Sequence, residues 1–258
     1  MEQLNIQNIK KIELDMLKYV HDFCVQHDVK YFLAYGTLLG AVRHNGFIPW
    51  DDDIDICMLR SDYEKFISEF KSEQYGICVP GAPQYNYPFV KVFDKSTILD
   101  EKVTSRKTIF GVYLDIFPLD YFPKDKKTLK KLSHYRNIVD IKNCRWKNRR
   151  GIIKNFAIYA AKAFYCLHPI EKICKKIDLI SSAVQKTDML SDLVWGAKSG
   201  EELPCALFDE LCSMEFEHEE FCGIKQYDVY LTKMYGDYMK LPPIEKRVSN
   251  HTFDAYLI

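Results

Sequence analysis

Apolar residues recur along this chain in two rhythms. From Ile9 through Ile12, Met16, Val20 and Phe23 the spacing is three and four, which predicts a helix with one buried stripe. Two short runs, Tyr31-Phe32-Leu33-Ala34 and Ile54-Asp55-Ile56-Cys57-Met58, read instead as strands of a buried sheet. Between them Leu38-Leu39-Gly40-Ala41-Val42 reads as a short helix, entered through a sharp turn at Gly36-Thr37. Ser61-Asp62-Tyr63-Glu64 has the Ser-x-x-Glu form of a capping box and opens a helix that turns Tyr63, Phe66 and Phe70 inward. Further strands are predicted over Tyr75 to Val79, Phe89 to Phe93 and Ile109 to Phe117. Near the end, Tyr235-Gly236-Asp237-Tyr238 closes a helix and Leu241-Pro242-Pro243 forces an extended segment.

Polar residues intrude on this pattern most sharply at Asp51, Asp53 and Asp55. In an extended strand the alternation of side chains points these three carboxylates one way and Ile54 and Ile56 the other. Like charges so spaced repel and raise one another's pKa unless a cation neutralises them, and oxygen-only donors suit a hard ion such as Mg²⁺ or Mn²⁺. An acidic run is more often a solvated loop. Here the apolar strands on both sides favour a metal site. Asp115, between Leu114 and Ile116, is a lone acid in an apolar run: either it is exposed at a strand end or it is buried and requires a partner.

Charge changes the picture again between Lys124 and Lys186, where 17 Lys and Arg stand against 4 Asp and Glu, 17 − 4 = +13 in a chain whose formal net charge is +0. The remainder therefore carries about −13, and the balance excludes a chain devoted to nucleic acid. Three helices are predicted in this block, with apolar positions Leu129, Leu132, Ile138 and Ile141, then Ile152, Ile153, Phe156, Tyr159 and Ala160, then Ile170, Ile173, Cys174 and Ile177 facing inward and basic residues outward. The block is either a solvated face or a contact for an anionic acceptor or membrane leaflet, with Arg145, Lys147, Arg149 and Arg150 as the acceptor contacts. The opening MEQLNIQNIKKIELDMLKYV has no uninterrupted apolar core and does not read as a signal peptide; the expectation is a cytoplasmic protein, with at most peripheral contact at the inner membrane face. Nine scattered cysteines without a C-x-x-C pair read as reduced thiols, the group Cys205, Cys212, His218 and Cys222 being the one cluster weighed for zinc.

Several blocks resemble the LicD family of phosphotransferases, whose eukaryotic relatives include fukutin and the fukutin-related protein. They are GTLLGAVRHNGFIPWDDDIDI from Gly36 to Ile56, YPFVKVFDKST from Tyr87 to Thr97, VYLDIFPLD from Val112 to Asp120 and YLTKMYGDYMKLPPIEKRVSNHTF from Tyr230 to Phe253. The resemblance implies an α+β nucleotidyltransferase-like mixed sheet flanked by helices, with the basic helical block as an insertion: a catalytic core over 1–123, the insertion over 124–200 and a C-terminal part over 201–258. It also implies a Mg²⁺-dependent enzyme that moves phosphocholine, or a similar alcohol phosphate such as ribitol phosphate, from a CDP-alcohol donor to a phosphorylated or lipid-linked surface glycan. A nucleotidyltransferase acting on a small molecule, and a noncatalytic binding module, are the competing readings.

Within that resemblance Asp53, Asp55 and Asp115 are the expected metal ligands, and Asp51 either completes the shell or takes the acceptor's proton. Gly36 lets backbone approach a phosphate, and Thr37 presents a hydroxyl and an N–H at a helix start. Arg43 and His44 steady a phosphate or simply cap their helix. Lys91, between Val90 and Val92, is read as a phosphate ligand with Asp94 beside it in the same pocket. Arg247 is expected to grip a phosphate, and His251 to contact phosphate or act as an acid to the leaving group.

Overall fold

Strand β7 (Tyr113–Tyr121) is the spine of the molecule, buried along all but its last residue. The computed structural model describes residues 1–102, 104, 106–145, 151–196, 201–248 and 253–258. Against β7 lies β3 (Asp55–Leu59) in parallel register, Asp55 opposite Asp115 and Leu59 opposite Leu119. On its other side β5 (Val90–Asp94) runs antiparallel, with Lys91 opposite Asp115. The sheet continues outward through β2 (Phe32–Leu33) beside β3 and β4 (Tyr75–Cys78) beside β5. Where β5 ends, β8 (Met189–Ser191) pairs with β7 from Asp120 and carries β9 (Leu203–Pro204).

Pro118 sits in the middle of β7, and the register explains how it is tolerated. The Asp115 N–H donates to the Ile54 carbonyl at 3.0 Å, so alternation turns the missing donor of Pro118 to the opposite side, into the gap between β5 and β8. No ladder bond is lost there. The strand therefore runs on to Tyr121 and begins only at Tyr113, later at both ends than the predicted Ile109 to Phe117.

Helix α1 (Ile6–Gln26) packs the predicted stripe onto the sheet, with Asn5 accepting from the Asn8 N–H as its cap. α2 (Tyr35–His44) follows β2, and α3 (Arg60–Glu69) follows β3. The capping box at Ser61 does not form: α3 starts two residues early, Leu59 occupies the cap position without a side-chain bond, and Ser61 falls inside the first turn. Arg60 is drawn into the fold instead, donating to both carboxylate oxygens of Asp120 at 2.7 and 2.6 Å and to Asp178 at 2.8 Å. Asp178 lies on α6 (Ile170–Ser182), so this cluster ties the basic block to the sheet.

The basic block forms α4 (Lys126–Asn143), α5 (Ile152–Phe164) and α6. α4 and α6 bury Leu132, Ile138, Ile173 and Ile177. α5 departs from expectation. Its one buried residue is Asn155, and Ile152, Ile153, Phe156 and Tyr159, predicted to face inward, are exposed; among the described residues its main packing partner is α4.

Three strands that the sequence does not announce, β1 (Glu2–Gln3), β12 (Phe253–Leu257) and β6 (Thr97–Glu101), make a second antiparallel sheet. β10 (Leu211–Phe216) and β11 (Glu219–Ile224) form a hairpin whose two turn residues, Glu217 and His218, both take positive φ of 53° and 63° without a glycine. The hairpin tip has a task. Glu217 Oε1 accepts from the Phe47 N–H at 2.9 Å and the Glu217 N–H donates to the Asn45 carbonyl at 3.0 Å, which pins the loop leading into Asp51. The last helix, α7 (Tyr227–Tyr235), packs against α2 and ends at Gly236, φ 71°. Mixed sheets and seven described helices make an α+β protein. Among the described residues no helix is long and apolar enough to cross a membrane.

Candidate active site

The site is assembled by register. Because Asp55 and Lys91 both stand opposite Asp115 on neighbouring strands, three charged side chains emerge from one level of the sheet. The Lys91 ammonium lies 2.5 Å from Asp115 Oδ1 and over the ring of Tyr113 at 3.4 Å, with the ring of Tyr87 at 4.6 Å. Asp53 joins them from the segment before β3. All four line a cavity of about 380 Å³ whose walls include Tyr35, Tyr87, Phe89, Tyr113, Phe117, Phe208 and Trp195. Among the described lining residues the carboxyl groups of Asp53, Asp55, Glu101, Asp115, Asp192 and Glu201 outnumber a single ammonium, Lys91, so the cavity is rich in acids.

Asp51, Asp53 and Asp55 do not share one face of a strand. The ladder begins only at Ile54, whose carbonyl takes the Asp115 N–H, and the preceding residues curl so that oxygens of Asp51, Asp52 and Asp53 lie within 4.8 Å of one another. Asp52, which the alternation turned away, thus joins the cluster. Burial raises the Asp55 carboxyl well above its usual range, and Asp53, Asp115 and Asp51 raise it further against the opposing pull of Lys91. Glu13, on the buried stripe of α1, is raised by burial first and then by Asp53 and Asp52; its Oε2 is buried with no hydrogen-bond partner.

Gly36 and Thr37 are already helical, in the first turn of α2. The sharp turn is made one residue earlier by Tyr35, in left-handed backbone with φ 45°. Gly36 allows a close approach, and what approaches is Asp51: a Cβ at Gly36 would stand 2.5 Å from Asp51 Oδ2. The Thr37 hydroxyl accepts from the Asp55 N–H at 2.8 Å and so holds the head of β3.

The other predicted residues form a separate group. Arg43 donates from Nη1 to the Tyr238 carbonyl at 2.7 Å and from Nε to His44 Nε2 at 3.0 Å, which places the His44 proton on Nδ1. Burial and Arg43 lower the His44 pKa. Arg247 donates to the Pro242 carbonyl at 2.9 Å and stacks over Trp50 at 5.5 Å. The Tyr235 hydroxyl connects this group with the acids: its pKa is raised by burial and then by Asp55, Asp51 and Asp53. Asp94 is not in the cavity; its Oδ1 accepts from the Ser96 N–H at 2.7 Å and the Ser96 hydroxyl at 2.6 Å, closing the turn between β5 and β6. His251, like Lys147, Arg149 and Arg150, lies outside the described residues. Among the described residues the aspartates 51 to 53 are the one group of three or more potential ligands brought together, and all nine cysteines are free thiols.

Sequence reasoning passed over Asp52, Glu13, Glu101 and Asp192. Glu13 carried a usable signal, an acid on an apolar stripe between Ile9 and Met16. Glu101 ends the alternation Thr97, Leu99, Glu101 on the buried face of β6. Asp192 carried none.

An α+β sheet presenting paired acids on adjacent strands behind a helix-opening Gly-Thr defines a nucleotidyltransferase-type protein, and comparison with known proteins agrees. Residues 28–146 match the family model described as LicD/FKTN/FKRP, nucleotidyltransferase domain. Over 272 aligned positions, spanning 100% of both chains, the protein is 31% identical to the lipopolysaccharide cholinephosphotransferase LicD of Haemophilus influenzae. It belongs to the LicD family. Shorter matches join it to uncharacterized proteins of Rickettsia prowazekii, 33% identical over 42% of this chain and 39% of the relative, and Rickettsia typhi, 36% identical over 48% and 39%.

Proposed function

We propose that this protein transfers phosphocholine from a CDP-activated donor to a lipopolysaccharide-type surface glycan, with Mg²⁺ (or Mn²⁺) held by Asp53, Asp55 and Asp115. That it is a transferase follows from its family. The observation that supports the finer reading is that Asp55 and Asp115 stand in register and line, with Asp53, one aromatic, acid-rich cavity, in a chain that aligns end to end with a cholinephosphotransferase. The donor set fits a hard divalent ion: it is all oxygen, and the Asp55 carboxyl is held above its usual range by burial first and then by Asp53, Asp115 and Asp51. Such an ion would neutralise the donor's diphosphate and the charge that develops on departing CMP.

The remaining work falls to the chain's own groups. Lys91 holds Asp115 in place. Asp51, pressed against Gly36, completes the ligand shell or accepts the acceptor's hydroxyl proton. Thr37 fixes the strand that carries Asp55, and the guanidiniums of Arg43 and Arg247 offer phosphate contacts. On the acceptor side, α5 exposes Ile152 (68%), Ile153 (86%) and Phe164 (75%), and Leu167 follows at 87%, within the segment of net charge +13. An apolar helix face framed by cations is suited to an anionic leaflet that holds a lipid-linked acceptor.

Incubation with Mg²⁺ and a panel of CDP-choline, CDP-ribitol and matched UDP and ADP conjugates, following free nucleotide, tests the reading. CMP release from CDP-choline, abolished by EDTA, is expected. Preference for CDP-ribitol would exchange the cargo, and transfer of a nucleotide to a small molecule would replace the reaction.

A further inference from the structure

Part of the cavity wall is a run of aromatic contacts that the Lys91 ammonium touches at one point, over the Phe89 ring at 5.2 Å. The Tyr35 ring meets Phe117 edge-on at 5.4 Å, Phe117 meets Phe89 at 4.4 Å, and Phe89 meets Trp195 edge-on at 5.1 Å. The two ends of this aromatic chain are joined by one carboxylate. Asp192 Oδ2 accepts from the Tyr35 hydroxyl at 3.0 Å, and Oδ1 accepts from the backbone N–H groups of Val194 and Trp195, each at 3.0 Å. All five residues line the cavity. The geometry is held at some cost, since Tyr35 takes a left-handed backbone that bulky residues rarely adopt.

We propose that this ring of Tyr35, Phe117, Phe89, Trp195 and Asp192 seats the trimethylammonium group of the substrate. The inference rests on choline phosphate being the group transferred. Aromatic faces carry negative charge density, and a carboxylate in the same wall adds a full charge, which together attract a cation that has shed its water. The hydrogen bonding then says which cation. Three donors already occupy the Asp192 oxygens, so a primary ammonium, with three N–H groups to satisfy, or a polyol such as ribitol finds few acceptors here. A quaternary ammonium has no N–H and requires none. Asp192 is thus a specificity residue, supplied by a different segment of the chain from Asp53, Asp55 and Asp115.

The test compares phosphocholine with its neutral carbon isostere, 3,3-dimethylbutyl phosphate, by calorimetric titration in Mg²⁺ for the wild type and Asp192→Asn. The two ligands share shape and phosphate and differ only in charge. The wild type is expected to prefer phosphocholine by about tenfold or more, and Asp192→Asn to bring the ratio close to one while binding the isostere as before. Equal binding of the two by wild-type protein overturns the proposal without any variant, as does an unchanged ratio in a folded Asp192→Asn. Should CDP-choline still yield CMP in that case, the assigned function stands and the ring alone is wrong. Should ribitol phosphate bind while both choline-shaped ligands fail, the function falls and the inference with it.

Discussion

Asp55 and Asp115 stand side by side on parallel strands, in register, with Lys91 completing the row from the strand beyond. Three ionisable groups at one level of a buried sheet are a standing electrostatic cost in the absence of a bound cation. The fold accepts that cost at the site where the chain's function is expected, and the consequences can be measured.

Asp55→Asn removes a proposed ligand and a repelled charge together. Outer partners of metal ligands are typically worth 10- to 100-fold in activity, so loss of a direct ligand is expected to reduce CMP release by more than about a hundredfold. The metal-free variant should melt at a higher temperature than metal-free wild type, because burial and three neighbouring carboxylates disfavour the ionised Asp55. Near-normal turnover with a folded spectrum would remove Asp55 from the site.

The Arg60 cluster predicts a purely structural effect. Arg60→Ala leaves Asp120, 2% exposed, as a buried carboxylate without its bidentate partner, and also releases Asp178 on α6. Denaturant unfolding should register a loss of about 3–5 kcal/mol. A loss below about 1 kcal/mol would mean that the cluster is solvated and does not anchor the helical block.

Burial raises the Asp192 carboxyl to about 6, against the hydrogen bonds from Trp195 and Tyr35 and the attraction of Arg136. The Tyr35 hydroxyl and the Cys57 thiol near it are pushed upward and stay protonated between pH 5 and 8, and Arg136, lowered only from 12.5, stays charged. Affinity for tetramethylammonium, which does not titrate, should therefore rise as the pH passes upward through about 6 and the carboxylate forms. The sign for stability is opposite: the unfolded carboxyl, near 3.9, ionises first, so burying Asp192 lowers stability progressively from about pH 4 to about pH 6. An affinity that is flat over this range, in wild type as in Asp192→Asn, would contradict the assignment.

Much of the candidate site's placement was legible before the structure, because it is written in local pattern. Gly36, Asp53, Asp55, Lys91 and Asp115 lie in or beside short apolar strands, and an acid or lysine inside such a run is conspicuous. What was not legible depends on contacts distant in sequence. The Asp51–Asp53 curl follows from where β7 begins to pair with β3, a partner some sixty positions away. Asp94 read as a pocket residue because it follows Lys91 in the strand, yet its carboxylate closes the turn with Ser96. The β10–β11 hairpin was hidden because Glu217 and His218 supply its positive φ where glycine is expected. Asp192 directly follows a three-residue strand, β8, and has no periodicity to betray it.

The α5 surface predicts binding to anionic vesicles in a co-sedimentation assay, weakened by salt because its basic surroundings contribute. Ile153→Asp with Leu167→Asp should reduce binding several-fold without altering CMP release from CDP-choline in the presence of a soluble acceptor, since neither residue lines the cavity. Equal sedimentation of wild type and the double variant would detach this face from the membrane.

The account turns on what leaves the donor and where it goes. The direct measurement supplies CDP-[methyl-¹⁴C]choline, Mg²⁺ and lipopolysaccharide acceptor to wild type and to Asp53→Asn, and follows label in the glycan alongside free CMP. Equimolar appearance of labelled glycan and CMP, absent with EDTA and with the variant, is the predicted result. Label that remains in the nucleotide while folded, Mg²⁺-loaded wild type is present, or that moves equally well with Asp53→Asn, would contradict it.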